Sequence, residues 1–204
     1  MKVSHLLYKV NNLDSAVCKF RNEGFKVEYG KSKDPYNALI YFSNGPYVEL
    51  YEPTNLPTAT KIALKLIRKE KVVQRMEIWK NQKEGFIGLA LENYETNFKH
   101  EKKILKKQGQ KYFEIKNKRR DTKNRLLKYK VLFPDEIGIP FLMTYFTIDP
   151  KPKNFVHPNG ITQISDVSFG TTEELIPLIK ELCDDTILNL FEGDNKIDIQ
   201  YKSL

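Results

Sequence analysis

The sequence predicts an α+β protein made of repeated β-α-β-β-β units, and three observations carry that prediction. Short alternating strands and one amphipathic helix succeed each other in that order over residues 1–53. The same order returns from Gly85, and a repeat is recognised by the succession of its elements as well as by identity. Glycine and proline punctuate each change of direction, at Gly24, Gly30, Pro46, Gly109 and Pro140. An apolar fraction of 40% over 204 residues is enough to bury a core and too high for a disordered chain.

Val3 to Val10 alternates as a strand, and Asn11-Asn12-Leu13-Asp14-Ser15 supplies cap-type residues. Leu13, Ala16, Val17 and Phe20 then form one apolar helical stripe until Gly24 offers a left-handed stop. Phe25 to Tyr29, Ala38 to Phe42 and Tyr47 to Tyr51 read as three further strands. Residues 54–84 read as a connecting helix, broken once, with Ile62, Leu66, Val73 and Met76 at helical spacing.

The second unit, 85–148, has strands at Phe86 to Leu91, Lys111 to Lys116, Leu126 to Phe133 and Phe141 to Thr147. Its helix is expected over Asn93 to Gln108, with Tyr94, Phe98, Ile104 and Leu105 on the apolar side. Residues 149–204 read as a truncated third unit. It has a strand at Ile161 to Phe169, a helix through Leu175, Ile179 and Leu182, and strands at Ile187 to Phe191 and Lys196 to Tyr201. Pro177 inside that helix moves its start beyond the capping-box spacing of Thr171 and Glu174.

Composition excludes several classes. The first residues lack a sustained apolar h-region, and nowhere do eighteen apolar residues run together, so neither a signal peptide nor a membrane span is expected. Cys18 and Cys183 make neither a disulfide framework nor a metal knuckle, which suits a reduced cytoplasm. The net charge of +8 is concentrated: residues 99–130 hold fourteen Lys or Arg against Glu101, Glu114 and Asp121. Few aromatics interleave with those cations, so nucleic acid is not the expected partner, whereas an anionic small molecule could be drawn in.

Four stretches, Ser-His-Leu-Leu-Tyr-Lys-Val at 4–10, Leu-Asp-Ser-Ala-Val at 13–17, Asn-Glu-Gly-Phe-Lys-Val at 22–27 and Asn-Gly-Pro-Tyr-Val-Glu-Leu at 44–50, resemble the vicinal oxygen chelate superfamily. With Ile-Pro-Phe-Leu at 139–142 and His-Pro-Asn-Gly at 157–160, the resemblance is to its glyoxalase-like branch, alongside bleomycin-resistance proteins and dihydroxybiphenyl dioxygenases. The resemblance implies paired modules forming an open cup; the truncated third module, read from its own pattern of elements, is expected to pack on an edge of the same domain. It also implies a divalent metal, Zn, Fe, Ni or Mn, held from the first and fourth strands.

On that pattern His5 and Glu49 match ligand positions. Strand alternation agrees: Tyr47, Glu49 and Tyr51 share one face of the fourth strand, and His5 opposes Leu6 and Tyr8 in phase. The pair also reads as a hydrogen-bonded pair lining a cavity without a metal. The second unit offers Met143 where Glu49 stands, and Phe86 to Ala90 has no ligand-type side chain. The metal site is therefore incomplete unless His157 completes it. Asn37, Tyr47 and Tyr51 are candidate pocket residues.

The function implied is a metal-assisted lyase, isomerase or dioxygenase acting on a small carbonyl or diol compound, with Glu49 as ligand or base. The alternative is a non-catalytic small-ligand binding protein of the bleomycin-resistance type. A homodimer is compatible with either.

Overall fold

The computed structural model describes residues 1–153 and 155–203. The first module contributes β1 (Lys2–Lys9), α1 (Leu13–Asn22), β2 (Glu28–Tyr29), β3 (Asn37–Ile40) and β4 (Tyr47–Tyr51). The second contributes β5 (Gly85–Asn93), β6 (Tyr112–Arg120), β7 (Leu126–Pro134) and β8 (Phe141–Thr144), with the helix Lys99–Lys107 after β5. Together they form one eight-stranded sheet in the order β2-β3-β4-β1-β5-β8-β7-β6.

Each first strand runs parallel to its own module's last, β1 beside β4 and β5 beside β8. The seam between modules is the antiparallel pair β1 and β5, where His5 lies opposite Ala90. Near the end of β6, Arg119 donates to the Gly30 carbonyl just past β2, at 2.6 Å. Opposite edges of the sheet are thereby drawn together, and the sheet curls into a cup.

The pleat decides what faces where. Leu6, Val48 and Leu50 point to the convex side and join Leu13, Val17 and Phe20 of α1 in the main core. Full burial of each such side chain is worth about 1.5–3 kcal/mol. Asn12 caps α1 by accepting from the Ser15 amide at 2.8 Å. At its far end Gly24, at φ +82°, lets the Phe25 amide return to the Phe20 carbonyl at 3.0 Å. The strand expected over Phe25 to Tyr29 shortens to Glu28–Tyr29 for that reason. The Phe25 amide is taken by the helix end, and the Lys26 amide donates to His157 Nδ1 at 2.9 Å.

The helix expected from Asn93 starts later. Asn93 stays in β5, paired with Thr144, and its amide donates to Glu101 Oε1 at 2.9 Å. Tyr94 is consequently off the helix and 71% exposed.

Residues 54–84 break into α2 (Thr58–Leu66) and α3 (Glu70–Asn81) at Arg68, whose φ is +56°. They do more than connect. α3 lies in the concave side of the sheet, where Val72 and Trp79 pack with Leu7, Ile87, Ala90, Val131, Phe133 and Phe141. Gly88 makes room for it, since a Cβ there would stand 3.1 Å from the Trp79 ring. Buried Arg75 ties α3 down by donating to the carbonyls of Pro134, Glu136, Ile137 and Ile139 at 2.8–3.3 Å. With the helix Lys99–Lys107 now α4, the last unit comprises β9 (Ile161–Thr171), a 3-10 turn (Glu173–Leu175), α5 (Ile176–Leu182), β10 (Leu188–Glu192) and β11 (Ile197–Ser203).

Pro177 occupies the first turn of α5, where no partner for a missing amide is needed. This unit keeps the order β-α-β-β but pairs β10 parallel and β11 antiparallel to β9 in a separate three-stranded sheet. Its Ile164, Val167, Phe169, Ile179 and Leu182 join the same core as Leu6, Leu89 and Leu91, so it covers the convex side. Among the described residues no helix is long and apolar enough to cross a membrane.

Candidate functional site

The concave side encloses a cavity of about 180 Å³ lined by His5, Asn37, Tyr47, Glu49 and Tyr51, all expected pocket residues. β1 delivers His5 and β4 delivers Tyr47, Glu49 and Tyr51, as the two-residue period requires. The His5 ring is held between the modules. Tyr47 stacks on it at 4.7 Å and Phe141 meets it edge-on at 5.4 Å.

Glu49 Oε2 lies 3.6 Å from His5 Nε2, and Glu49 Oε1 accepts from Asn37 Nδ2 at 2.8 Å. Gly30 permits that second contact, because a Cβ there would overlap the Asn37 side-chain amide. Burial, reinforced by Lys151 and Arg119, pushes His5 down to about 3 from its ordinary 6.5. The imidazole is therefore neutral near neutrality, and its approach to Glu49 is not an ion pair. Burial also raises Glu49 from its ordinary value, against the opposing pull of the Asn37 hydrogen bond and Arg119.

The other imidazole nitrogen faces a second carboxylate through a relay. Ser4 Oγ is 3.0 Å from His5 Nδ1 and donates to Glu92 Oε2 at 2.6 Å. Ser4 reaches both because a register shift between Val3 and His5 leaves it outside the regular β1–β5 ladder. Ser4, His5 and Glu92 are at most 4% exposed.

The pairing register also settles which residues of the second module answer the first. His5 sits beside Tyr47 and Leu7 beside Glu49, whereas Ala90 sits beside Phe141 and Glu92 beside Met143. Ala90 and Met143 thus stand where His5 and Glu49 would have counterparts. His157 is not brought to them. Its ring packs among Phe25, Phe42 and Phe155, with Nδ1 occupied by the Lys26 amide. Among the described residues no three His, Cys, Asp or Glu side chains gather into a group able to hold a metal ion. A catalytic zinc ion is held by three protein donors and water, so His5 and Glu49 alone do not complete such a site.

Arg119 supplies a cation to the cavity wall from the basic hairpin, and α3 supplies Met76 and Trp79. A broader groove of about 560 Å³ shares Asn117, Tyr129 and Phe146 with that wall and carries Lys116, Lys118, Lys128 and Lys130. The ladder sets Lys116 opposite Lys130 and Lys118 opposite Lys128.

Sequence reasoning left Ser4, Glu92, Trp79 and Arg119 out of the site. Arg119 was the most accessible of these, since β6 alternation separates it from Lys116 and Lys118. Glu92 lies just past the strand end expected at Leu91.

Solved structures with similar architecture include a Streptomyces coelicolor methylmalonyl-CoA epimerase in complex with 2-nitronate-propionyl-CoA. It is 18% identical at a TM-score of 0.44, covering 71% of this chain and 97% of that one. A methylmalonyl-CoA epimerase in complex with methylmalonyl-CoA and NH4+ gives 18% identity and a TM-score of 0.43, covering 74% and 98%. Among curated proteins none matches. The model of the glyoxalase-like domain matches residues 3–183, from the start of β1 to the end of α5. With both modules inside that span, the chain belongs to the glyoxalase-like domain family, of the vicinal oxygen chelate type.

Proposed function

We propose that this protein is a proton-transfer enzyme of the isomerase or lyase kind, acting in the cup on a small anionic carbonyl compound, with Glu49 as the base. The observation that carries this is the Glu49 carboxyl itself. It is largely but not wholly shielded, with 16% of its side chain exposed, and is raised above its ordinary pKa, set against a neutral imidazole at 3.6 Å, in a cavity that also holds Arg119. A carboxylate tuned upwards is a better base for carbon acids, and proton transfer by such a group contributes typically 10²–10⁴-fold.

Glu49 takes a proton from carbon next to the carbonyl. The C–H electron pair moves towards the carbonyl oxygen, and the half-buried cation Arg119 lowers the cost of that charge. Lysines along the adjoining groove suit a further anionic part of the same substrate.

Incubation in D₂O with a panel of small 2-oxo and 2-hydroxy carboxylates, followed by proton NMR, tests the reading. Loss of a C–H signal next to a carbonyl is expected with the wild type. Glu49→Gln keeps an oxygen for Asn37 and should slow exchange by about 10²–10⁴-fold. Equal rates for both proteins would overturn the assignment of Glu49.

The apolar counterparts Ala90 and Met143 favour a second reading, in which the cup binds without turnover. A melting temperature raised by a compound that is never consumed is the outcome that would support it.

A further inference from the structure

Two carboxyl groups, buried Glu92 and half-buried Glu49, lie on either side of one histidine ring, and only one of them reaches it through a hydroxyl. Ser4 has a single proton to give. The Glu92 carboxylate oxygen at 2.6 Å is nearer and a stronger acceptor than the two other atoms within reach of Ser4 Oγ, His5 Nδ1 at 3.0 Å and the Met143 sulfur at 3.2 Å. With its proton committed to Glu92, Ser4 Oγ can only accept from His5 Nδ1, at 3.0 Å. The remaining ring nitrogen, Nε2, then presents a lone pair towards Glu49 Oε2.

We propose that Ser4 and Glu92 are positioning residues that hold His5 as the Nδ1–H tautomer, so that Nε2 is an acceptor for the acid form of Glu49. The inference rests on the proton-transfer reading of the cup and names how that site keeps the proton it removes. Once Glu49 has gained a proton, its new O–H faces the Nε2 lone pair across 3.6 Å and need only close that gap to donate to it, with no covalent bond made. Without the relay, an Nε2–H tautomer would instead donate to the Glu49 carboxylate and make it a weaker base.

The arrangement also explains why a glutamate that is 2% exposed is kept at a strand position where the first module has Leu7. An apolar residue there would be cheaper to bury.

The test is the two-bond ¹H–¹⁵N spectrum of the histidine rings in the intact chain. There are three histidines, and the signals lost in His5→Asn identify His5. Wild-type His5 should show a protonated Nδ1 and an unprotonated Nε2. Ser4→Ala should move the ring towards Nε2–H, Ser4→Thr should keep the original form, and Glu92→Leu, which removes the acceptor for the Ser4 proton, should also move it towards Nε2–H.

A wild-type ring already in the Nε2–H form, or one unmoved by both Ser4→Ala and Glu92→Leu, overturns the proposal. If Ser4→Ala fails to fold, Glu92→Leu and Ser4→Thr still decide. The spectrum needs no substrate, so a wrong tautomer with intact carbon-acid exchange removes the relay alone. The predicted tautomer with no exchange on any compound removes the proton-transfer reading instead.

Discussion

His5 is the residue on which most of the local physics converges. It lies between Tyr47 and Phe141, and desolvation pushes it down to about 3. An imidazole depressed in this way is protonated in the unfolded chain below pH 6.5 but stays neutral in the folded one until about 3. Over that window the unfolded state binds the extra proton. Stability therefore rises with pH, and is lost on acidification at up to about 1.4 kcal/mol per pH unit.

Glu49 acts with the opposite sign, because its raised pKa keeps the folded state protonated longer and stability falls as pH climbs through its range. Urea midpoints measured from pH 6.5 downwards on wild type and His5→Asn should separate the two. The variant should show a shallower acid limb. A slope unchanged by the substitution would mean that His5 is not held neutral in the fold.

At the scale of elements, α3 is the unexpected one. Its apolar spacing reads as an ordinary amphipathic connection, and nothing in that spacing tells which face of which sheet receives it. Val72 and Trp79 turn out to seal part of the cup, with Arg75 as the fastening. Arg75→Met keeps much of the side-chain volume but leaves four carbonyls without their donor. A loss of on the order of 3 kcal/mol or more is expected in urea unfolding, since each stranded buried polar group costs about 1–3 kcal/mol.

The misplaced start of α4 has a similar cause. Tyr94 fits a helical stripe by spacing, yet Asn93 is worth more in the β5–β8 ladder, where its side chain also satisfies Glu101. Tertiary pairing overrides local pattern at such boundaries.

Across the whole molecule, both modules and the C-terminal unit draw on one apolar cluster that includes Leu6, Leu91, Ile104, Val167 and Ile179. The sheet of β9, β10 and β11 has no separate core. A single cooperative transition is the consequence. Trp79, the only tryptophan, reports from the concave cluster on the other side of the large sheet, whereas far-ultraviolet circular dichroism reports on all strands and helices. The two signals should trace the same urea curve. Separate midpoints would show that the cup and the convex core unfold independently.

The sequence by itself determined the order of elements, the repeat and the placing of His5, Tyr47, Glu49 and Tyr51 towards a common side. All of these follow from pleat, helical period and turn chemistry, which act over a few residues. Only the tertiary structure decided that α3 fills one end of the cup, that Arg119 crosses from the basic hairpin into its wall, and that His157 goes to an aromatic cluster instead. It alone set Glu92 against Ser4, residues 88 apart in sequence. Those outcomes depend on how β1 pairs with β5 and how far the sheet curls. Register and curvature are collective properties of strands distant in sequence, and no local spacing records them.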